Sequence, residues 1–292
     1  MFPGALLALT VAVAGQADVV KPKKLLLVTH SGGFIHDSVG VAEDVMKKFG
    51  PSKGYEVTAW RYTADTNDPR FGKYQEDFRK RTGKPVEPAN CGRLNKETLK
   101  NFDVVFFFTT GSGPTKKNIA PLTPEELADL QAWVKAGGAF VGTHCASDTL
   151  YDSSYGAFVG GYFKTHPPGL HNIKVKVEDK QHPAAAGFTD GMAYKDEIYI
   201  FTDEPYSRDK LHIILSCERG SFKEAENPKV ARADGDYALA WCKEEGKGKV
   251  FYTAFGHRKE VWQDEPFQAH LFGGIDWAVG RKPGDAAPTG KK

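Results

Sequence analysis

The sequence predicts an α/β fold: a doubly wound, mostly parallel sheet in the first half and a β-rich excursion in the second. Three observations carry this. The first half alternates strand and helix in the order β-α-β-insertion-β-α-β, which places helices on both faces of a parallel sheet. Its strands are short apolar runs such as Leu25–Val28 and Val104–Phe108, the kind buried on both faces. The apolar runs stop at polar turns carrying His or an acid, which is how open α/β sheets present chemistry at their carboxyl edge.

Taken in order, Lys24–Thr29 is the first strand, and the loop His30–Ser38 follows. Val39–Phe49 is a helix, with Val41, Val45 and Phe49 at helical spacing and Gly50 at its end. Glu56–Tyr62 alternates as a second strand. Residues 63–97 are polar and rich in Lys, Arg, Pro and Gly, and are expected to form a long surface insertion. Phe102–Thr109 is the third strand. Thr123 as N-cap and Pro124 at the first helical position open a helix over Glu125–Ala136, which Gly137-Gly138 ends. Ala139–Thr143 is the fourth strand. Beyond it, His171–Val177, Glu197–Phe201, His212–Ser216 and Tyr237–Trp241 are short strands of the excursion. Val250–Ala254 returns to the apolar type, and Glu265–Val279 is a closing helix. Residues 24–281 are expected to form one domain, with residues 282–292 a disordered tail.

The chain has 292 residues and a net charge of +2, from 39 basic and 37 acidic residues, so nothing electrostatic points to nucleic acid or an anionic membrane surface. Ala5–Ala14 is apolar and uncharged, and small residues follow at Ala12-Val13-Ala14 and Gly15-Gln16-Ala17. Residues 1–17 therefore match a signal peptide, with the periplasm or the exterior as destination. The apolar run is too short to span a bilayer, and no later segment is long and apolar enough. The four cysteines form no CxxC pair, which excludes a zinc ribbon or thioredoxin motif and leaves disulfide pairing open.

Four strand-then-turn patterns carry chemical groups. They supply His30, His36 and Asp37; His144, Cys145 and Asp148; Asp196 and Glu197; and His257 with Trp262. Turns after adjacent strands of such a sheet meet in one crevice, so these distant residues are expected to converge. Neutral imidazole binds divalent metals, and its pKa near 6.5 suits proton transfer. His36, His144, Glu197 and His257 are the candidate metal set, for a divalent ion such as zinc. His144, Asp148 and Glu197 are the candidate catalytic residues. His36, Tyr151, His166, Tyr199 and His257 are candidates for substrate binding, with Tyr155, Phe163 and Trp262 as further flat faces for a sugar ring. Simpler roles stand beside these: Asp37 or Ser38 as a helix cap, Asp148 as a turn former, His182 as a turn shaper, His270 as a packing residue. Gly32-Gly33 is followed by neither GxxxxGK[ST] nor GxGxxG, so no nucleotide is expected.

Phe34-Ile35-His36-Asp37-Ser38, Gly142-Thr143-His144 with Ser147-Asp148, the run Phe158–His166, Asp196-Glu197-Ile198-Tyr199, Gly256-His257 and the late HLFGGIDWAVG together resemble the trehalose-utilisation (ThuA-like) family. The resemblance runs over roughly residues 24 to 281. It implies a flavodoxin-like sheet similar to that of class I glutamine amidotransferases. It also implies carbohydrate catabolism, with keto-sugar derivatives of disaccharides as substrates and a small carbohydrate as partner. In the amidotransferases a Cys occupies a strained turn after a Gly-X pair. Laid on Gly142-Thr143, that position is His144, and Cys145 lies one place later. Cys145 is therefore expected to be a small packed side chain, and a Cys-dependent amidase is the weakest reading. A non-catalytic carbohydrate-binding or scaffolding module is the alternative to an enzyme. The oligomeric state stays open.

Overall fold

The structure, a computed structural model, describes residues 21–111, 118–223 and 227–290. The expected signal peptide lies outside the described residues. In chain order the first half holds β1 (Lys23–Val28), α1 (Val39–Phe49), β2 (Tyr55–Trp60), α2 (Phe71–Thr82), α3 (Lys96–Leu99), β3 (Val104–Phe107), α4 (Pro124–Lys135) and β4 (Ala139–Thr143). The second half holds α5 (Tyr155–Val159), β5 (Phe163–Thr165), β6 (His171–Val177), β7 (Met192–Asp196), β8 (Ile200–Phe201), β9 (His212–Cys217), β10 (Ala238–Glu245), β11 (Gly248–Thr253), α6 (Lys259–Gln263) and α7 (Glu265–Ala278).

Nine of these strands form one sheet in the order β2-β1-β3-β4-β11-β10-β9-β6-β7. The run from β2 to β11 is parallel throughout. From β11 onward every pairing is antiparallel. The α/β class and the parallel core are as expected. The β-rich excursion is not a separate unit, because its strands extend the same sheet beyond β11.

Side-chain alternation along the strands divides the interior into two cores. Leu25, Leu27, Val104, Phe106 and Val141 face one core, shared with α1, α2, α6 and α7. Leu26, Val28, Val105, Phe107 and Phe140 face the other, shared with α3, α4 and α5. Helix α4 starts where the sequence places it. Thr123 Oγ1 accepts from the Glu126 N–H at 3.3 Å, and the Glu126 carboxylate accepts from the Thr123 N–H at 2.9 Å. Such a reciprocal cap stabilises a helix by about 1 kcal/mol.

Three local readings are corrected. Residues 63–97 are not a bare surface insertion. They contain α2, which buries Tyr74 and Phe78, and the segment also buries Val86 and Leu94. Phe71, Tyr74 and Phe78 form a narrow apolar stripe, and the charged residues around it conceal the period. Of the strand expected over Glu197–Phe201 only the two-residue β8 forms, and Glu197 lies one residue past the end of β7 rather than at a strand start. The tail, expected to be disordered, is described as far as Gly290. The N–H groups of Thr289 and Gly290 donate to the carbonyls of Leu211 and Arg208 at 3.0 Å, and His212 Nδ1 donates to the Ala287 carbonyl at 2.7 Å.

Candidate functional site

Strands β1, β3, β4 and β11 are parallel neighbours, so their carboxyl ends share one edge of the sheet. His36 lies in the loop after β1, His144 directly follows β4, and His257 follows β11. Glu197 arrives from the antiparallel half, one residue past β7.

His144 has φ 42°, a left-handed conformation that costs a non-glycine residue of order 1 kcal/mol. Its surroundings hold it there. Its carbonyl accepts from Tyr252 Oη at 2.6 Å and Ser147 Oγ at 3.2 Å. Its Nδ1 donates to the Ala254 carbonyl at 2.9 Å, and the Tyr199 ring lies 4.1 Å from its own. The turn carrying His257 is locked as firmly. Gly256 supplies φ 122°. The buried Asp196 carboxylate accepts from the N–H groups of Gly256 at 2.8 Å and Arg258 at 3.2 Å. The Gly256 carbonyl accepts from Trp262 Nε1 at 2.9 Å and Ser38 Oγ at 3.2 Å.

These anchors bring the four expected residues together. Glu197 Oε2 is 3.2 Å from His257 Nδ1 and 3.4 Å from His144 Nε2. His257 Nδ1 and His144 Nε2 are 3.2 Å apart. The His36 ring lies edge-on to those of His144 and His257, at 4.9 and 5.3 Å between centroids. One ligand atom from each of His36, His144, Glu197 and His257 lies within 4.8 Å of the others. Phe108, one residue past β3, stacks on Trp262 at 5.2 Å and lies 6.0 Å from the His36 ring, giving the cluster an apolar wall.

The electrostatics follow from this packing. Burial alone would raise the Glu197 carboxyl. Hydrogen bonds and charge from His144 and His257 reverse that and hold it far below the usual carboxylate range. Burial would lower His257, but the Glu197 carboxylate raises it above the ordinary imidazole value. His36 is pushed well below that value by burial and then by the charges of His144 and His257, so it stays neutral and able to bind a cation.

The other sequence candidates fall into distinct places. His166 is at the rim, its side chain 38% exposed, with Nδ1 3.2 Å from Glu197 Oε1 and 2.9 Å from the Pro167 carbonyl. Asp148 is half-buried and accepts from Tyr151 Oη at 2.9 Å, which also donates to the Phe163 carbonyl. Burial raises the Asp148 carboxyl above its ordinary value against the pull of that hydroxyl. Tyr199 is buried between His144 and Phe163, so it props the imidazole and has no open face for a sugar. Trp262 and Tyr155 are likewise buried, and Trp262 braces the Gly256 turn. Cys145 is fully buried, and burial followed by the Asp148 charge pushes its thiol well above the usual range, which removes it as a nucleophile.

His30, His182 and His270 are structural. They bond to the Ile119 carbonyl, the Ala184 N–H and the Ala184 carbonyl respectively. Ser38 makes no side-chain helix cap; it serves the Gly256 turn instead. Asp37 pairs with Lys259 at 3.0 Å.

Two roles escape the sequence reading. Asp196, which the sequence places among the groups expected to converge, is a buried acid that positions the His257 turn. Phe34 stands 55% exposed with its ring 4.8 Å from that of His36, an apolar face at the mouth of the cluster. Only its exposure reveals it.

Among solved structures, the fold is similar to that of a ThuA-like protein from Bacteroides uniformis, at 18% identity and a TM-score of 0.63, covering 93% of this chain and 97% of that one. It is also similar to a ThuA-like protein from Parabacteroides merdae, at 15% identity and a TM-score of 0.56, covering 92% and 94%. No curated protein matches the chain. No helix among the described residues is long and apolar enough to cross a membrane. The family model for ThuA, trehalose utilisation, matches residues 24–278, and with that span the chain belongs to the ThuA family.

Proposed function

We propose that this chain is an exported enzyme of carbohydrate catabolism that acts on a sugar or keto-glycoside derivative at the His/carboxylate cluster, with a divalent metal assisting. Membership of a trehalose-utilisation family supports the carbohydrate role. The observation that carries the enzymatic reading is the convergence of three imidazoles and a carboxylate within 4.8 Å at the carboxyl edge of a parallel sheet.

A keto group on a sugar acidifies the adjoining C–H bonds. A base beside that carbon then opens lyase, hydrolase or isomerase steps. Glu197 is ionised and meets imidazoles through both oxygens, so it orients those rings and holds a proton that His257 can pass on. Asp148, with its raised carboxyl, is suited to delivering one as well. A bound divalent ion would stabilise the negative oxygen of an enolate.

The test is incubation of the full chain with 3-keto-disaccharides, with and without added divalent metal, followed by NMR of the products. New sugar species are expected. Binding without any chemical change would replace the enzyme by a carbohydrate-binding module. Export is read separately, from the mass of the protein recovered from its native cells. A chain beginning after Ala14 or Ala17 is expected, and an intact N-terminus would overturn it.

A further inference from the structure

Among the described residues two large apolar side chains are exposed, Phe34 at 55% and Leu170 at 39%. Both stand beside the cluster. Phe34 is two residues before His36, and its ring lies 4.8 Å from that imidazole. Leu170 ends the segment that starts at His166, which meets Glu197. It also precedes His171, the β6 residue that pairs with Asp196 at the end of β7. The two therefore flank the mouth from the parallel and the antiparallel halves of the sheet. Single exposed apolar residues are ordinary on a protein surface, but two drawn to one opening mark a ligand face.

Phe34 is also held in place. Its carbonyl accepts from Thr110 Oγ1 at 2.8 Å, and the same hydroxyl oxygen accepts from the Gly33 N–H at 3.2 Å. Arg81 Nε donates to the Ile35 carbonyl at 3.1 Å, and its guanidinium lies 5.5 Å from the Phe34 ring centroid. A cation over the ring and an imidazole beside it fix the phenyl group, so stacking on it costs little further ordering. The acids around the mouth are already engaged: Asp37 with Lys259 at 3.0 Å, Asp148 with Tyr151 Oη at 2.9 Å, and Glu197 Oε1 with His166 Nδ1 at 3.2 Å. A second sugar, rich in hydroxyls, meets few free acceptors there, whereas an aromatic ring meets Phe34 and Leu170.

We propose, resting on the enzymatic reading of the cluster, that the glycosides this chain takes carry an aromatic aglycone, which stacks on Phe34 and packs against Leu170 while the sugar reaches the imidazoles. The full chain is assayed on the 3-keto derivative of phenyl glucoside and on a 3-keto-disaccharide, and calorimetry measures binding of unoxidised phenyl glucoside. Wild type is expected to favour the aryl substrate in kcat/KM by about tenfold, the size of one good aromatic stack. Phe34→Ala is expected to lower kcat/KM about tenfold on the aryl substrate, through KM, and less than about threefold on the disaccharide. Phe34→Trp, which keeps a stacking face, is expected to restore the preference. Leu170→Ser is expected to act in the same direction with a smaller fall. Equal falls on both substrates in Phe34→Ala would make Phe34 a prop for His36 and overturn the subsite, as would a wild type with no aryl preference; in either case turnover itself sustains the enzymatic reading. If no keto-sugar is turned over, calorimetry decides. Phenyl glucoside bound about tenfold more weakly by Phe34→Ala keeps the subsite and removes the enzyme. Binding that Phe34→Ala leaves unchanged, or no binding to wild type at about 1 mM, removes both.

Discussion

Glu197→Ala is expected to lower kcat/KM on a keto-sugar by about a thousandfold or more. One carboxylate touches three imidazoles here: His144 and His257 through Oε2 and His166 through Oε1. Its removal leaves no anion among them, takes away the group that keeps a proton on His257, and deletes one ligand of the proposed metal site. Glu197→Gln separates charge from shape. It fills the same volume and still accepts a hydrogen bond, so a loss equal to that of the Ala variant assigns the effect to charge. Stability is expected to change little or to rise, since the native site holds a desolvated carboxylate. A kcat/KM within threefold of wild type in folded Glu197→Ala would remove Glu197 from the chemistry.

Arg208→Ala is expected to destabilise the fold by about 3–5 kcal/mol. The guanidinium grips both oxygens of Glu178, at 2.8 and 2.9 Å, and both oxygens of Asp236, at 2.7 Å. All three side chains are nearly closed off from water. Glu178 follows β6, Arg208 precedes β9 and Asp236 precedes β10, so one cation ties together the connections of three antiparallel strands. Without it two buried carboxylates face each other, and their repulsion adds to their desolvation. Urea unfolding followed by circular dichroism measures the loss, and a change under about 1 kcal/mol would show that water replaces the cation.

Legibility in the sequence was greatest where the signal was local. Thr123-Pro124 with Glu126 marked the start of α4 because a cap is complete within four residues. The apolar runs marked β1, β3, β4 and β11, since a strand buried on both faces leaves almost no polar residue in its span. Helix α2 was missed, because three aromatics among charged neighbours form too narrow a stripe to stand out. Of the site, the histidines were visible from their place after apolar strands. Tyr199 and Trp262 were assigned to the ligand because a sequence shows an aromatic ring without showing which face is already covered.

From the sequence alone came the class of the fold, the strands of its parallel core, the family resemblance and the polar turns that hold His36, His144, Glu197 and His257. Which turns meet was decided only in three dimensions. Strand order placed β4 against β11 and so His144 against His257, while the antiparallel extension carried Glu197 back to the same edge. The tertiary structure also set the hydrogen on His144, through a carbonyl 110 residues away along the chain. The reason is physical. Periodicity and caps record how each segment meets water, but buried apolar strands are nearly interchangeable by that measure. Their order depends on packing and chain connectivity summed over the whole molecule.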